Sequence, residues 1–134
     1  MEGSIKDLAS YRLQTAKDDL KRAEFAYEMN DYKLALNRSY YAIFHALRAV
    51  NSLDVYDSSK HKGVITHFNK EHVKTGEFPK DISKMIANAM NFRQKSDYED
   101  FYIISQSDAE EQVANARYVL DLIEKYLSER IDGK

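Results

Sequence analysis

The run Asn37-Arg38-Ser39-Tyr40-Tyr41-Ala42-Ile43-Phe44-His45 sets a cation, a phenol and an imidazole into an otherwise apolar stretch. Arg38 and His45 stand seven residues apart. Seven helical residues make nearly two turns, so both side chains fall on one face, about 10 Å apart along the axis. Tyr41 lies between them, three residues after Arg38 and four before His45. An imidazole titrates near neutral pH and moves protons, and a planar guanidinium suits a phosphate. The competing reading makes His45 and Tyr41 core residues with satisfied hydrogen bonds and pairs Arg38 with a carboxylate.

A second constellation, Arg93-Gln94-Lys95-Ser96-Asp97-Tyr98, sits at the expected end of another helix. Arg93 and Asp97 are four apart and suit an i,i+4 ion pair. The functional reading brings Arg93 beside Arg38 to form a two-arginine anion site, because a planar guanidinium suits a phosphate. His61, His67 and His72 are six and five residues apart, and neither spacing puts two imidazoles on one face of an α-helix as i,i+4 would. They are read as solvated surface residues, and no metal or other cofactor is expected. Lys60, His61, Lys62, Lys70, His72 and Lys74, with Glu71 alone opposing them, make this region locally basic, a candidate face for a polyanion or a plain solvated face. The chain contains no glycine-rich phosphate loop, nucleophile elbow or HExxH motif.

The elements that must position these residues are helices. Ser4 is placed to cap a first helix to about Met29, with the stripe Ile5, Leu8, Arg12, Ala16, Leu20, Ala23 and Tyr27. Asn30 and Asp31 break it, and Asp31 caps a second helix from Tyr32 to about Leu53. This helix is apolar over much of its circumference and is therefore central. Residues 54–63 read as a loop. Ser58 or Ser59 is placed to cap a third helix to about Lys74, closed by a left-handed Gly76. Pro79 opens a fourth helix to about Gln94. Residues 94–106 lack helical period and read as a packed loop. Ser107 with Glu110 then forms a capping box for a last helix bearing Val113, Ala116, Leu120, Ile123, Leu127 and Ile131, and the final residues 131–134 are expected to fray.

The totals agree with an all-α chain. There are 134 residues, the size of one domain, and a chain of this length buries roughly two thirds of its unfolded surface. A single domain over residues 1–134, an up-and-down bundle of about five helices, is expected. Four glycines and one proline argue against a many-stranded sandwich. The absence of cysteine rules out disulfides and thiolate metal sites. A net charge of −2 shows no global affinity for nucleic acid, so RNA contact needs a local patch. No apolar run approaches the ~18 residues of a membrane span, no secretory signal opens the chain, and the expected location is the cytoplasm.

The segment NRSYYAIFHALRAV closely resembles the second-helix signature of the HEPN domain, in the branch of small stand-alone prokaryotic proteins. RQKSDY resembles that branch's later signature, an arginine followed by an Asp-Tyr pair, and HFNKEHVKTGEFP is similar to the segment between them. The resemblance spans essentially the whole chain. It implies a helical bundle, usually a homodimer. It also implies a metal-independent endoribonuclease, often a toxin paired with a small nucleotidyltransferase antitoxin; other members bind nucleotides or partners without catalysis. Active members carry an arginine, four to six residues, then a histidine. Arg38 and His45 meet that spacing at its upper limit, with Ser39 where the family often has Asn, Asp or His. If the later arginine is the counterpart, it is Arg93, and Tyr98 stands near where histidine is expected. The resemblance thus implies Arg38, His45 and Tyr41 as catalytic residues, with Arg93, Asp97 and Tyr98 binding RNA or a nucleotide.

Overall fold

The computed structural model describes residues 2–58, 60–99 and 101–132, and every regular element among them is helical. The order is α1 (Glu2–Glu28), α2 (Tyr32–Ser52), α3 (His61–Phe68) with a π-helical turn over Asn69–Val73, α4 (Asp81–Tyr98) and α5 (Gln106–Ile131). No helix is long and apolar enough to cross a membrane.

Helices α1 and α2 form a hairpin. Asn30 turns the chain at φ 64, a left-handed conformation that asparagine tolerates. The Asp31 carboxylate then accepts from Leu34 N at 3.2 Å, capping α2 as its sequence position requires. Helix α2 packs against α1, α3, α4 and α5. Its Leu36, Tyr40, Ile43, Phe44, Leu47 and Val50 are all buried, so the central helix is covered within the chain. The seam on α1 is Ala9, Arg12, Ala16, Asp19, Ala23 and Ala26, all buried. This three/four alternation keeps Arg12, Ala16 and Ala23 of the expected stripe but takes Ala9, Asp19 and Ala26 in place of Leu8, Leu20 and Tyr27, and it leaves Leu8 exposed. Small alanines let the α1 and α2 backbones approach, and the two charged members of the seam are thereby driven against α2.

Several boundaries differ from expectation. Ser4 lies inside α1 rather than capping it. Lys60, not Ser58, precedes α3; the Ser58 hydroxyl accepts from Lys60 N at 3.1 Å instead, and Ser59 lies outside the described residues. Pro79 stands two residues before α4, its carbonyl accepting from Ile82 N at 3.2 Å. Helix α4 continues to Tyr98, so the connection to α5 is shorter than residues 94–106; within it Ile104 is buried, but Phe101 and Ile103 are exposed rather than packed. Ser105, not Ser107, caps α5, accepting from Asp108 N at 3.0 Å. Gly76 does adopt the left-handed conformation, at φ 87.

Candidate functional site

Helix α2 turns two neighbouring faces toward polar partners. One face carries Arg38, Tyr41 and His45 toward α1, where Asp19 is 3% exposed. Arg38 Nη1 donates to Asp19 Oδ1 at 2.9 Å, and its Nε and Nη2 donate to Asn37 Oδ1 at 3.0 and 2.8 Å. His45 Nε2 lies 3.8 Å from Asp19 Oδ2, and Arg22 Nη1 is 3.2 Å from Oδ1. A buried carboxylate survives only when paired, and here three cations or potential cations share it. The adjoining face carries Tyr40 and Phe44 toward α3 and α4. Tyr40 Oη is 2.7 Å from His61 Nδ1, and His61 stacks on Phe44 with ring centroids 4.1 Å apart. Arg93 Nη1 reaches the same Nδ1 at 3.4 Å. A guanidinium never accepts a hydrogen bond, so Nδ1 is the acceptor and the neutral ring carries its hydrogen on Nε2.

Tyr41 joins the two faces. The Arg38 Cζ lies 5.1 Å from its ring centroid and the Arg93 Cζ 5.5 Å, cation–π distances for both. His61 and His45 lie 5.8 and 6.2 Å from the same ring. Arg38, His45 and Arg93 are half-buried, with side-chain exposures of 30%, 24% and 20%. Each therefore keeps part of its surface toward solvent while its position is fixed. Beside Arg38 a shallow concavity is lined by Lys21, Arg22, Phe25 and Leu34. A second, across Leu34, is lined by Lys33, Asn37, Ser96 and Asp97.

Burial and neighbouring charge make His45 and His61 hold a proton less tightly than a free imidazole. Burial pushes the His45 pKa below its ordinary value; Asp19 opposes this, while Arg48, Arg38 and Arg12 add to it. Burial, then the charges of Arg93 and Arg48, lower His61 likewise. Burial raises the Tyr40 pKa to about 12 against the opposing Arg93, so this phenol remains a donor. Asp57 holds the rim. Burial acts to raise its pKa, but hydrogen bonds from Arg48 at 3.0 Å and Arg12 at 3.1 Å carry it below the usual carboxylate range.

The structure brings together Arg38, Tyr41, His45 and Arg93 of the expected residues. Asp97 pairs with Arg93, Oδ2 to Nε at 3.2 Å, as the i,i+4 spacing implies. Tyr98 is 77% exposed at the end of α4 and makes none of these contacts. Asp19, Tyr40 and His61 were not expected in the site. Asp19 had a legible signal, because with Arg12 it interrupts an alanine seam at three/four spacing. His61 had none in periodicity.

The reading of His61, His67 and His72 as solvated surface residues is overturned. His72 is 4% exposed and His61 and His67 are half-buried. The spacing argument against proximity failed because α3 runs into a π-helical turn. One residue more per turn brings i and i+5 onto one face, and the His67 and His72 ring centroids are 6.2 Å apart.

The HEPN domain model matches residues 9–126, most of the chain. This chain belongs to the HEPN domain family. It is 30% identical over 115 residues to "Putative toxin MJ0142" of Methanocaldococcus jannaschii, covering 86% of this chain and 78% of that one. It is 31% identical over 125 residues to "Putative toxin MJ0605" of the same organism, covering 93% and 92%. A "UPF0332 protein" of Thermotoga maritima is 29% identical over 122 residues, covering 91% and 92%. Within this HEPN bundle the expected arginine–histidine pair lies on the central helix, and Arg93 approaches Tyr41, which stands between them, from α4.

Proposed function

We propose that this HEPN protein is a metal-independent endoribonuclease acting as the toxin of a pair with a nucleotidyltransferase antitoxin. One observation carries the reading: guanidiniums from two different helices converge on the Tyr41 ring, with the His45 and His61 rings 6.2 and 5.8 Å from it. Arg38 and Arg93 stabilise the charge that gathers on the phosphoryl oxygens. His45 takes the proton from the ribose 2′-hydroxyl, which attacks the adjacent phosphorus, and the imidazolium so formed gives that proton, through water, to the departing 5′-oxygen. The products carry a 2′,3′-cyclic phosphate and a 5′-hydroxyl. Every step uses side chains of this chain, so the reaction calls for no metal ion. Lys21, Arg22 and Lys33, in the concavities beside Arg38, supply positive charge for the phosphates of a single strand. The protein acts as a homodimer in the cytoplasm. The support for the dimer is the exposed Phe25 and Leu34 beside Arg38, which a second copy covers while setting two sites together. The names of the relatives favour the toxin role.

A second reading has its own observation. Asp19 neutralises Arg38 within the fold, as in a non-catalytic bundle that binds a nucleotide or a partner chain. Product-end analysis on a mixed RNA separates the two. Cleavage leaving cyclic phosphate in wild type, and none with a folded His45→Ala protein, supports the nuclease. Intact RNA with both, and calorimetric binding of a nucleoside phosphate that Arg93→Ala abolishes, supports the alternative.

A further inference from the structure

A second cluster of chemically able side chains lies apart from the residues of the proposed active site. Asp54 follows the C-terminus of α2, His67 lies in α3 and His72 in the π-helical turn. Asp54 Oδ2 is 2.9 Å from His67 Nε2 and 2.6 Å from His72 Nε2, and the three atoms lie within 4.8 Å of one another. We propose that Asp54, His67 and His72 form a binding site for a divalent transition-metal ion of the zinc class, tying the end of α2 to α3.

The donor set is two imidazole nitrogens and one carboxylate oxygen, which zinc accepts with a water as fourth ligand. Bonds of about 2.0–2.1 Å place tetrahedral donors roughly 3.3 Å apart. The two short separations therefore open by less than about 1 Å as the ion replaces the hydrogens between the donors. The rings are already aimed. His72 Nδ1 faces Glu77 Oε1 at 2.5 Å, leaving Nε2 toward Asp54. Glu77 is in turn held by Tyr126 Oη at 3.2 Å from each carboxylate oxygen, with Arg130 Nη2 at 3.5 Å. A carboxylate on the far nitrogen of a ligating histidine fixes ring and tautomer in metal sites. His67 is clamped by Tyr56, stacked at 4.0 Å and nearly parallel. The π-helical turn is what makes the site. In a continuous α-helix residues five apart diverge, whereas here the extra residue turns His72 onto the side of His67.

The test is calorimetry with zinc chloride, and cobalt(II) absorption, on tag-free full-length protein first stripped with chelator. Wild type should bind one zinc per chain, give the visible bands of tetrahedral cobalt and melt at a higher temperature with zinc. Asp54→Asn and His67→Ala should each bind at least about tenfold more weakly, and Glu77→Gln about 10- to 100-fold more weakly. Circular dichroism checks that each variant is folded, and Asp54→Asn, the mildest change, serves should His67→Ala unfold. Absence of saturable zinc and cobalt binding by wild type, or unchanged binding by folded Asp54→Asn, would overturn the proposal.

Discussion

Removing Asp19 should both destabilise the fold and reveal what the residue is for. Its carboxylate is 4% exposed and lies between Arg38, Arg22 and His45. Breaking a fully buried ion pair by deleting one partner costs about 3–5 kcal/mol, because the surviving charge is stranded. Here Arg38 is 30% and Arg22 62% exposed, so water recovers part of that loss. The Arg22 contact alone is worth at most about 1 kcal/mol. Asp19→Ala should therefore destabilise by about 2–3 kcal/mol, with Asp19→Asn, which keeps an acceptor for Arg38, nearer about 1 kcal/mol. At roughly 3–5 °C per kcal/mol for this chain length, the alanine variant should melt roughly 6–15 °C lower. Urea unfolding is the assay, run as a cycle with Arg38→Ala. If Asp19 chiefly compensates Arg38, its removal should cost at least about 1 kcal/mol less once Arg38 is gone. Strict additivity, or an Asp19→Ala effect under about 0.5 kcal/mol, would refute the reasoning.

Other expectations follow from burial and titration. Leu47→Ala and Phe44→Ala, both in the core, should each lose about 2–5 kcal/mol in chemical denaturation. Gly76→Ala should lose about 1 kcal/mol or more, because φ 87 strains any residue with a Cβ. The folded His45 holds its proton less tightly than the unfolded chain, whose value is 6.5. The unfolded state then binds more protons as pH falls, so stability present above pH 6.5 declines below it. A His45→Gln protein should show a shallower decline between neutral and mildly acidic pH in thermal melts, and an identical slope would count against a neutral folded imidazole.

Much of the architecture could be read from residue pattern. The apolar circumference of Tyr32–Leu53 located the central helix, Asp31 its cap and Gly76 the left-handed turn. The expected extra loop after Gln94 failed because Arg93, Lys95 and Asp97 give α4 an amphipathic end too polar to register as periodic. The site was legible along α2, where Arg38, Tyr41 and His45 share a face by helix geometry alone. Its other half was not. Asp19 was missed because the expected stripe of the first helix ran through its neighbour Leu20, and His61 enters through tertiary packing on Phe44 rather than through any local pattern. The π-helical turn defeated the spacing argument for His67 and His72, because periodicity presupposes 3.6 residues per turn.

The central claim is that Arg38 and Arg93 act on one phosphate beside Tyr41. The most direct measurement is the rate of RNA cleavage by wild type, Arg38→Ala, Arg93→Ala and the double variant, with chelator present and below the melting temperature of the stripped protein. Residues acting as a unit have strongly non-additive effects. The account predicts that each single change lowers the rate severely and that the double variant is little worse than either. Independent, multiplying effects, an Arg93→Ala protein as active as wild type, or RNA left intact by wild type would contradict it.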